Sequence, residues 1–397
     1  MALAFCFYGG DSMANDSLRP EKRILIVAGE ASGDLHGSNL IKSAAEHHPD
    51  LSFFGVGGEK MTAAGCRILF PSDELSVMGL TEILGRLPKI YKRFQQLKRI
   101  LRSDEAPDLL ILIDFPDFNL RLAKVAKAAG IKVLYYISPK VWAWRSGRAK
   151  TIAERVDRLA LIFPFEPPIY ESLGVKADYV GHPLLDEFAE NKPQGTLRGK
   201  LKIAEDAQVV GIFPGSRNSE IDHILESLIE TAVLLQKEHP HLNFVVPIAP
   251  SLSRKVLEAA FAGRGLSVSF VDENIYEVAA ACDAILTVSG TVTLQIALVG
   301  TPMAILYKVA PLSYAVGRRL IKIEFAGLPN IVAGRGIVKE FIQEAANPAS
   351  MSCEILRLLN DSTYRKNMKQ ELRNVKKMLG DPGCSPRVAD IVARMIF

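Results

Sequence analysis

Short apolar runs rich in β-branched residues alternate along the chain with longer stretches in which apolar residues recur at helical spacing. This alternation predicts repeated strand–helix units around a parallel sheet. In the first half, strands are predicted at residues 23–28, 51–54, 108–113, 132–137, 158–162 and 178–180, with helices between them, for example 80–102 and 119–129. The runs 24–28 and 109–113 are apolar throughout, which is typical of strands buried on both faces.

The pattern stops at a polar stretch, residues 190–195, and then starts again. Strands are predicted at 209–213, 243–246, 268–271, 284–287 and 303–307, and helices at 219–237, 251–262, 291–299 and 312–323. From residue 337 onward the pattern is helical, without a strand signal. We therefore predict an N-terminal extension expected to be disordered (1–20), a first Rossmann-like domain (21–190), a second (191–345), and a helical tail (346–397) that packs back on the first domain or is exchanged in a homodimer.

Composition narrows the functional classes. Of 397 residues, 48% are hydrophobic and 23% are charged, which is ordinary globular usage. The net charge of +4 is too small to indicate a nucleic-acid partner. The five cysteines form no C-x-x-C pair, which argues against a disulfide framework or a zinc site. We find no apolar run of about 18 residues that could span a bilayer.

Two glycine-serine turns each follow a predicted strand and open a helix: residues 29–34 in the first half, and Pro214-Gly215-Ser216-Arg217 in the second. Such turns let a ligand approach the backbone, and a helix amino terminus favours an anion. The arginine in the second turn favours phosphate. Ser289-Gly290-Thr291 opens another helix that could face the same nucleotide. The alternative for the first turn is a structural one, with Ser32 or Asp34 capping its helix.

Two carboxylates, Asp114 and Asp117, follow the apolar run 109–113. The carboxyl ends of central strands are where α/β proteins bind ligands, and a carboxylate there could deprotonate a sugar hydroxyl. Asp117 could instead cap the next helix. The glycines at 55–58 suggest a loop pressed against a ligand or a neighbouring backbone. A lone His182 is more often structural than catalytic.

An apolar segment containing Val77, Met78 and Leu80 leads into a basic helix that carries Arg86, Lys89 and Arg93. This combination suits an anionic membrane surface. The alternative is a solvated basic face over an ordinary core helix.

Motifs in order along the chain resemble those of the lipid-A-disaccharide synthase family, from about Arg23 to about Ala345: residues 27–34 (VAGEASGD), 114–119 (DFPDFN), 138–144 (SPKVWAW), 164–166 (PFE), 180–183 (VGHP), 214–217 (PGSR), 289–291 (SGT) and 328–330 (LPN). The resemblance implies a GT-B glycosyltransferase, inverting and independent of metals and cofactors. Its donor would be UDP-2,3-diacylglucosamine and its acceptor 2,3-diacylglucosamine 1-phosphate (lipid X). The enzyme would work peripherally at the cytoplasmic face of the inner membrane of a Gram-negative bacterium.

The resemblance also implies residue roles. Asp117 would be the base, Asp114 would orient it or the acceptor, and Arg217 would stabilise charge on the departing UDP. The nucleotide would be held by Gly215, Ser216, Ser289, Gly290, Thr291 and Asn330. The acceptor side of the cleft would be lined by Glu30, Ser32, Gly33 and His182. Gln295 stands where the family usually has Glu, so a weaker contact to the ribose and weaker UDP binding are expected.

Three other functions remain open at the level of sequence. A UDP-sugar epimerase, or another GT-B transferase with a soluble acceptor, would share the nucleotide domain without needing the apolar and basic surface. A non-catalytic nucleotide- or lipid-binding regulator would bind UDP without transfer. An NAD-dependent oxidoreductase is disfavoured, because neither half carries G-x-G-x-x-G.

Overall fold

The computed structural model describes residues 22–75, 80–144, 147–216, 218–309, 314 and 324–397. This part of the chain forms two parallel sheets, one in each half, with helices packed against them. The predicted α/β architecture with two Rossmann-like domains is confirmed.

Seven strands form the first sheet: β1 (Lys22–Ala28), β2 (Leu51–Gly57), β3 (Arg67–Pro71), β4 (Leu109–Ile113), β5 (Lys132–Tyr136), β6 (Arg158–Leu161) and β7 (Lys176–Tyr179). Their order is β3-β2-β1-β4-β5-β6-β7, and all neighbours are parallel. The strand order reverses between β1 and β4, where Ala28 pairs with Ile113, so these strands end level. Open α/β sheets bind their ligands beyond the carboxyl ends at such a reversal.

Six strands form the second sheet: β8 (Val209–Phe213), β9 (Asn243–Pro247), β10 (Val268–Val271), β11 (Ala284–Val288), β12 (Met303–Tyr307) and β13 (Lys339–Ile342). Their order is β10-β9-β8-β11-β12-β13, again parallel throughout. The reversal here lies between β8 and β11. The turns that follow these two strands are 214–217 and 289–291, so the fold brings both predicted phosphate turns to one edge.

The described helices cover the faces of the two sheets. They are α1 (Ala31–His47), α2 (Glu59–Ala63), α3 (Leu80–Ile100), α4 (Pro116–Ala128), α5 (Arg148–Arg155), α6 (Pro167–Glu171), α7 (Pro183–Glu190), α8 (Leu197–Lys200), α9 (Asn218–Glu238), α10 (Arg254–Phe261), α11 (Ile275–Ala281), α12 (Thr291–Val299), α13 (Leu328–Ala333), α14 (Pro348–Asn360), α15 (Ser362–Met378) and α16 (Cys384–Ile396). Two short 3₁₀ helices add Ser72–Glu74 and Gln343–Ala345. Most of the helix predicted at 312–323 lies outside the described residues.

Two strands escaped prediction, and both are edge strands. β3 (RILFP) and β13 (KEFI) mix charged and apolar residues and are only partly buried. Charged residues leave each of these strands only a short apolar run, so the signal that identified the central strands is missing. The prediction that no strand follows residue 337 was therefore wrong.

The glycine-rich stretch 55–58 is not a loop over its first three residues, which complete β2. Gly55 has φ of 155°, and a Cβ there would lie 1.9 Å from the carbonyl oxygen of Ile26 on β1. The glycine is thus required by a neighbouring backbone, the second of the two predicted alternatives.

The last three helices connect the two domains. Ile355 and Leu358 of α14 lie in the core of the second domain, whereas Val388 and Val392 of α16 lie in a core shared with α1 of the first. Within α15, Leu372 packs in the second-domain core, and Lys376 lies 4.2 Å from the centroid of the Phe188 ring on α7 of the first domain. Within one chain, the last helix of the tail thus packs on the first domain and α14 packs on the second; exchange of the tail in a dimer stays a prediction.

Candidate functional site

Backbone strain is concentrated at the carboxyl edge of the first sheet. Asp114, Phe115 and Ile137 have positive φ values of 45°, 48° and 60°. They are three of the five non-glycine residues with positive φ in the described ranges, and all three directly follow β4 or β5. Such conformations persist where the surrounding structure enforces them, and they cluster at functional sites.

Phe115 joins this edge to the first glycine-serine turn. A Cβ on Gly29 would lie 2.4 Å from the Phe115 ring, so only glycine permits this approach. Glu30 and Ser32 are exposed in the turn, while Gly33 is buried, with its would-be Cβ 3.1 Å from that of Ala28. The predicted cleft-facing residues Glu30 and Ser32 are thus accessible, and Gly33 serves the packing of α1 on β1.

Asp34 does not cap its own helix, and neither does Ser32. Glu30 occupies the N-cap position of α1, which has no side-chain capping bond. The buried Asp34 carboxylate instead accepts hydrogen bonds from the backbone N–H groups of Gly58, Lys60 and Met61, at 2.6, 3.1 and 3.1 Å. It therefore braces the amino end of α2 against α1.

The two candidate carboxylates differ in environment. Asp114 is half-buried, and burial followed by the nearby Glu30 carboxylate raises its pKa. Its backbone is fixed, because its carbonyl accepts from Asn119 Nδ2 at 2.7 Å and from the Tyr135 hydroxyl at 2.6 Å. The Asp117 side chain is 78% exposed and forms an ion pair with Arg148. No side chain caps α4, so Asp117 does not have the predicted alternative role as a cap.

The loop after β5 carries both tryptophans of the chain and is held by a buried carboxyl. Glu166 accepts from Trp142 Nε1 at 3.1 Å and from the Phe163 N–H at 3.0 Å. Burial raises the pKa of Glu166 to about 7. Trp142 is thereby fixed, whereas Trp144 is 42% exposed at the same edge of the sheet.

His182, predicted on the acceptor side of the cleft, is buried. Its Nδ1 accepts from the Leu184 N–H at 3.2 Å and caps α7. Its ring packs edge-on against Phe163, with the centroids 5.2 Å apart. Burial lowers its pKa to about 3. These contacts favour the structural role that the sequence left open.

In the second domain, Gly215 has φ of 94°, and its would-be Cβ lies 2.8 Å from Val288 Cγ2 at the end of β11. The two predicted phosphate turns are therefore adjacent. Ser216, Gly290 and Thr291 are exposed there. Ser289 is less available, since its hydroxyl donates to the Ala326 carbonyl at 2.8 Å.

Arg217 lies outside the described residues. For Asn330, the geometry does not favour a ligand contact, because its amide donates to Val338 and Glu340 and accepts from Ile337 and Val338. These four bonds use its full capacity, so Asn330 holds the loop before β13.

Gln295 does not present its amide nitrogen to the nucleotide turns. Its Nε2 donates to Oε1 of Glu187, on α7, at 3.0 Å. The sequence position is that of the expected ribose contact, but the side chain binds across to the first domain.

The basic surface is partly committed to ion pairs. Arg93 Nε and Nη2 contact the Glu74 carboxylate at 2.6 and 3.1 Å, and Lys89 lies 3.7 Å from it. Val77 and Met78 lie outside the described residues, and for Leu80 and Arg86 only the backbone is described. Sequence reasoning missed Leu87 and Tyr91, which are 49% and 66% exposed one helical turn apart on α3.

Neither a membrane-spanning helix nor a group of metal-binding side chains occurs among the described residues. None of the helices in the described ranges is long and apolar enough to cross a membrane. Among the described residues, no three His, Cys, Asp or Glu side chains are grouped as metal ligands would be.

Comparison with solved structures identifies the fold. The UDP-GlcNAc 2-epimerase from Neisseria meningitidis, bound to UDP-GlcNAc, superposes with a TM-score of 0.61 at 14% identity, covering 94% of this chain and all of that one (100%). The calicheamicin glycosyltransferase CalG4 gives 0.58 at 15% identity, over 95% and 99% of the two chains. The predicted GT-B architecture, two Rossmann-like domains facing a central cleft, is confirmed.

Comparison with known sequences identifies the family. A family model described as lipid-A-disaccharide synthetase matches residues 24–389. The lipid-A-disaccharide synthase of Syntrophotalea carbinolica is 53% identical, over 95% of this chain and 96% of its own length. That of Geobacter metallireducens is 49% identical, over 95% and 98%. On these grounds the chain belongs to the lipid-A-disaccharide synthase family of glycosyltransferases.

Proposed function

We propose that this enzyme transfers 2,3-diacylglucosamine from UDP to the 6-hydroxyl of 2,3-diacylglucosamine 1-phosphate, with inversion at the anomeric carbon. The products are the β-1,6-linked disaccharide 1-phosphate and UDP. The observation that carries the proposal is the strained edge at Asp114 and Phe115, which places a half-buried carboxylate at the strand reversal of the first domain. The family membership supports the choice of reaction.

Asp114 fits the base better than Asp117, to which the family resemblance assigns that role. Burial and the Glu30 carboxylate raise the pKa of Asp114, which makes its ionised form a stronger proton acceptor. Asp117 is exposed and its charge is paired with Arg148. Glu30, across the first turn, keeps Asp114 basic without having to touch the substrate.

The second domain would hold the leaving group. The exposed residues Ser216, Gly290 and Thr291 lie at the adjacent starts of α9 and α12. Backbone N–H groups at these helix starts suit a diphosphate, and Arg217 would add a full positive charge. Asn330 would support this region from within the fold.

The chemistry is a single displacement. The acceptor's 6-hydroxyl oxygen attacks the donor's anomeric carbon while its proton passes to the Asp114 carboxylate. The bond between that carbon and the UDP oxygen breaks, and the electron pair leaves with UDP. Domain closure would exclude water, whose attack on the donor is the competing reaction.

Both proposed substrates carry acyl chains and must be drawn from a bilayer. The exposed Leu87 and Tyr91, with the basic residues of α3, form a surface that could rest on the anionic inner membrane from the cytoplasmic side. An apolar contact flanked by cations is what such a surface requires.

The test is direct. Purified protein is mixed with UDP-2,3-diacylglucosamine and lipid X, and the products are analysed by mass spectrometry. The proposal predicts the disaccharide 1-phosphate, formed in the presence of EDTA. Conversion of UDP-GlcNAc, which has no acyl chains, to its 2-epimer would instead favour an epimerase, and UDP binding without turnover would favour a regulator.

A further inference from the structure

Arg148 is a charged residue at the carboxyl edge of the first sheet. It has no role in the single displacement proposed for the enzyme. It is the first residue of α5, directly beyond the loop that follows β5. Its side chain is only 14% exposed, and it is fixed by two neighbours. Its guanidinium pairs with the Asp117 carboxylate and lies 5.5 Å from the centroid of the Trp144 ring.

The partner of this arginine is at the surface. The Asp117 side chain is 78% exposed, so a ligand can reach the ion pair from that side without opening the core. Arg148, in contrast, is held in place by its burial and by the indole face of Trp144. A buried, oriented guanidinium whose carboxylate partner is exposed is suited to exchange that carboxylate for an incoming anion.

Arg148 is also close to the proposed base. Asp117, which pairs with Arg148, is the third residue after Asp114, at the start of α4. The backbone of Asp114 is fixed there, because its carbonyl accepts from the Tyr135 hydroxyl at 2.6 Å. A ligand that reaches both must carry a hydroxyl and an anionic group near each other.

An aminosugar phosphorylated at its anomeric carbon has this arrangement. Its phosphate is on C1 and its 6-hydroxymethyl group is on C5, and these two carbons flank the ring oxygen, so both groups project from the same edge of the ring. We propose that Arg148 binds the anomeric phosphate of the acceptor, that Asp117 is the resident counter-ion which the phosphate displaces, and that this contact directs the 6-hydroxyl to Asp114. This inference rests on the proposed function and extends it to the recognition of the acceptor.

The partial positive charge at the amino terminus of α5 adds to the attraction, since its first turn contains no acidic residue. The same site would discriminate against an acceptor without phosphate, because Arg148 would then stay with Asp117. Arg148 thus selects the phosphorylated acceptor by exchanging the Asp117 carboxylate for the acceptor's phosphate.

The test compares two acceptors, lipid X and 2,3-diacylglucosamine without the phosphate, with wild type, Arg148→Gln and Arg148→Lys. Folding is checked by thermal unfolding, and Lys150→Gln, an exposed cation on the same helix, is the matched control. For Arg148→Gln we expect KM for lipid X to rise about 10–100-fold, as for loss of a charge-assisted contact. Arg148→Lys should lose less, because it keeps the charge but not the paired donors. With the dephosphorylated acceptor, these variants should match wild type.

Equal losses on the two acceptors, or a loss confined to KM for the UDP-sugar, would overturn the assignment. An effect of Lys150→Gln as large as that of Arg148→Gln would do so too, because it would indicate general attraction rather than a site. Failure of the proposed function itself looks different: wild-type protein would then form no disaccharide with either acceptor.

Discussion

The side-chain amide of Gln295 donates a hydrogen bond of 3.0 Å to Oε1 of Glu187, and this bond joins α12 of the second domain to α7 of the first. The sequence comparison predicts that Gln295 occupies the place of a ribose-binding Glu. In the structure its donor group is paired with a carboxylate instead. A Glu at position 295 would therefore face another Glu.

We predict that Gln295→Glu lowers the free energy of unfolding by about 1–3 kcal/mol, because it replaces a charge-assisted hydrogen bond by carboxylate repulsion. UDP affinity should not rise. The double variant Gln295→Glu/Glu187→Gln reverses the donor and acceptor and should recover most of the loss. Urea unfolding and calorimetric titration with UDP measure both effects. A gain in UDP affinity at undiminished stability would return Gln295 to the ribose.

The same pair illustrates what sequence can and cannot predict. The family resemblance identified Gln295 as the counterpart of a ribose-binding Glu, but its partner in the structure lies 108 residues away, and only the fold brings them together. Central strands such as β4 were predictable because all five of their residues are buried and apolar. The edge strands β3 and β13 were not, because charged residues leave each of them only a short apolar run.

In the candidate site, too, some features could be predicted from the sequence and others could not. Its turns were predictable, because glycine and serine after a strand constrain the backbone locally. The strain at Asp114 and Phe115 was not, since positive φ at such residues is enforced by tertiary packing against Gly29. The ion pair of Asp117 with Arg148, which bears on the choice of base, likewise depends on how α4 and α5 pack.

Substitution of the two carboxylates should separate their roles. Asp114→Asn is expected to lower kcat by about 10²–10⁴-fold, the usual contribution of a general base. Asp117→Asn should mainly lower the KM for the acceptor, because it removes the carboxylate that competes with the phosphate for Arg148. It should lower kcat less than tenfold. Steady-state kinetics on folded variants decide the matter. The reverse ranking of the two kcat values would restore Asp117 as the base.

Glu30 should control the pH profile. Burial and then the Glu30 carboxylate raise the pKa of Asp114, and a base works only when it is deprotonated. Activity is therefore lost as pH falls through that raised pKa. Glu30→Gln removes the nearby negative charge, so the acid limb of kcat/KM should move to lower pH. Glu46→Gln, at the far end of α1, is the control and should leave the limb in place; an unmoved limb in Glu30→Gln would count against Asp114.

The α3 surface should bind membranes through its exposed apolar residues. Leu87→Glu and Tyr91→Glu are expected to weaken binding to vesicles containing anionic lipid, and added salt should weaken binding of the wild type. Val256→Glu is a matched control, because Val256 is 63% exposed on α10 of the second domain. Co-sedimentation with vesicles measures the effect. Equal losses in all three variants would argue against α3 as the contact.

Two buried groups should give the stability of the protein opposite dependences on pH. Burial lowers the pKa of His182 from 6.5 to about 3, so in this window the unfolded chain binds a proton that the folded state does not, and stability rises with pH. Burial raises the pKa of Glu166 from 4.5 to about 7, so there the folded state holds the extra proton, and stability falls as pH rises.

Between pH 4.5 and 6.5 these two slopes oppose each other. His182→Asn keeps a capping acceptor for α7 but does not titrate, so its free energy of unfolding should rise less with pH than that of the wild type. Glu166→Gln should rise more, on top of a pH-independent cost at Trp142. Urea unfolding across this range measures the two slopes relative to wild type. The slope of the free energy of unfolding against pH should fall in one variant and rise in the other, relative to wild type. A change in the same direction in both variants would show that at least one of the two residues does not titrate as its burial requires.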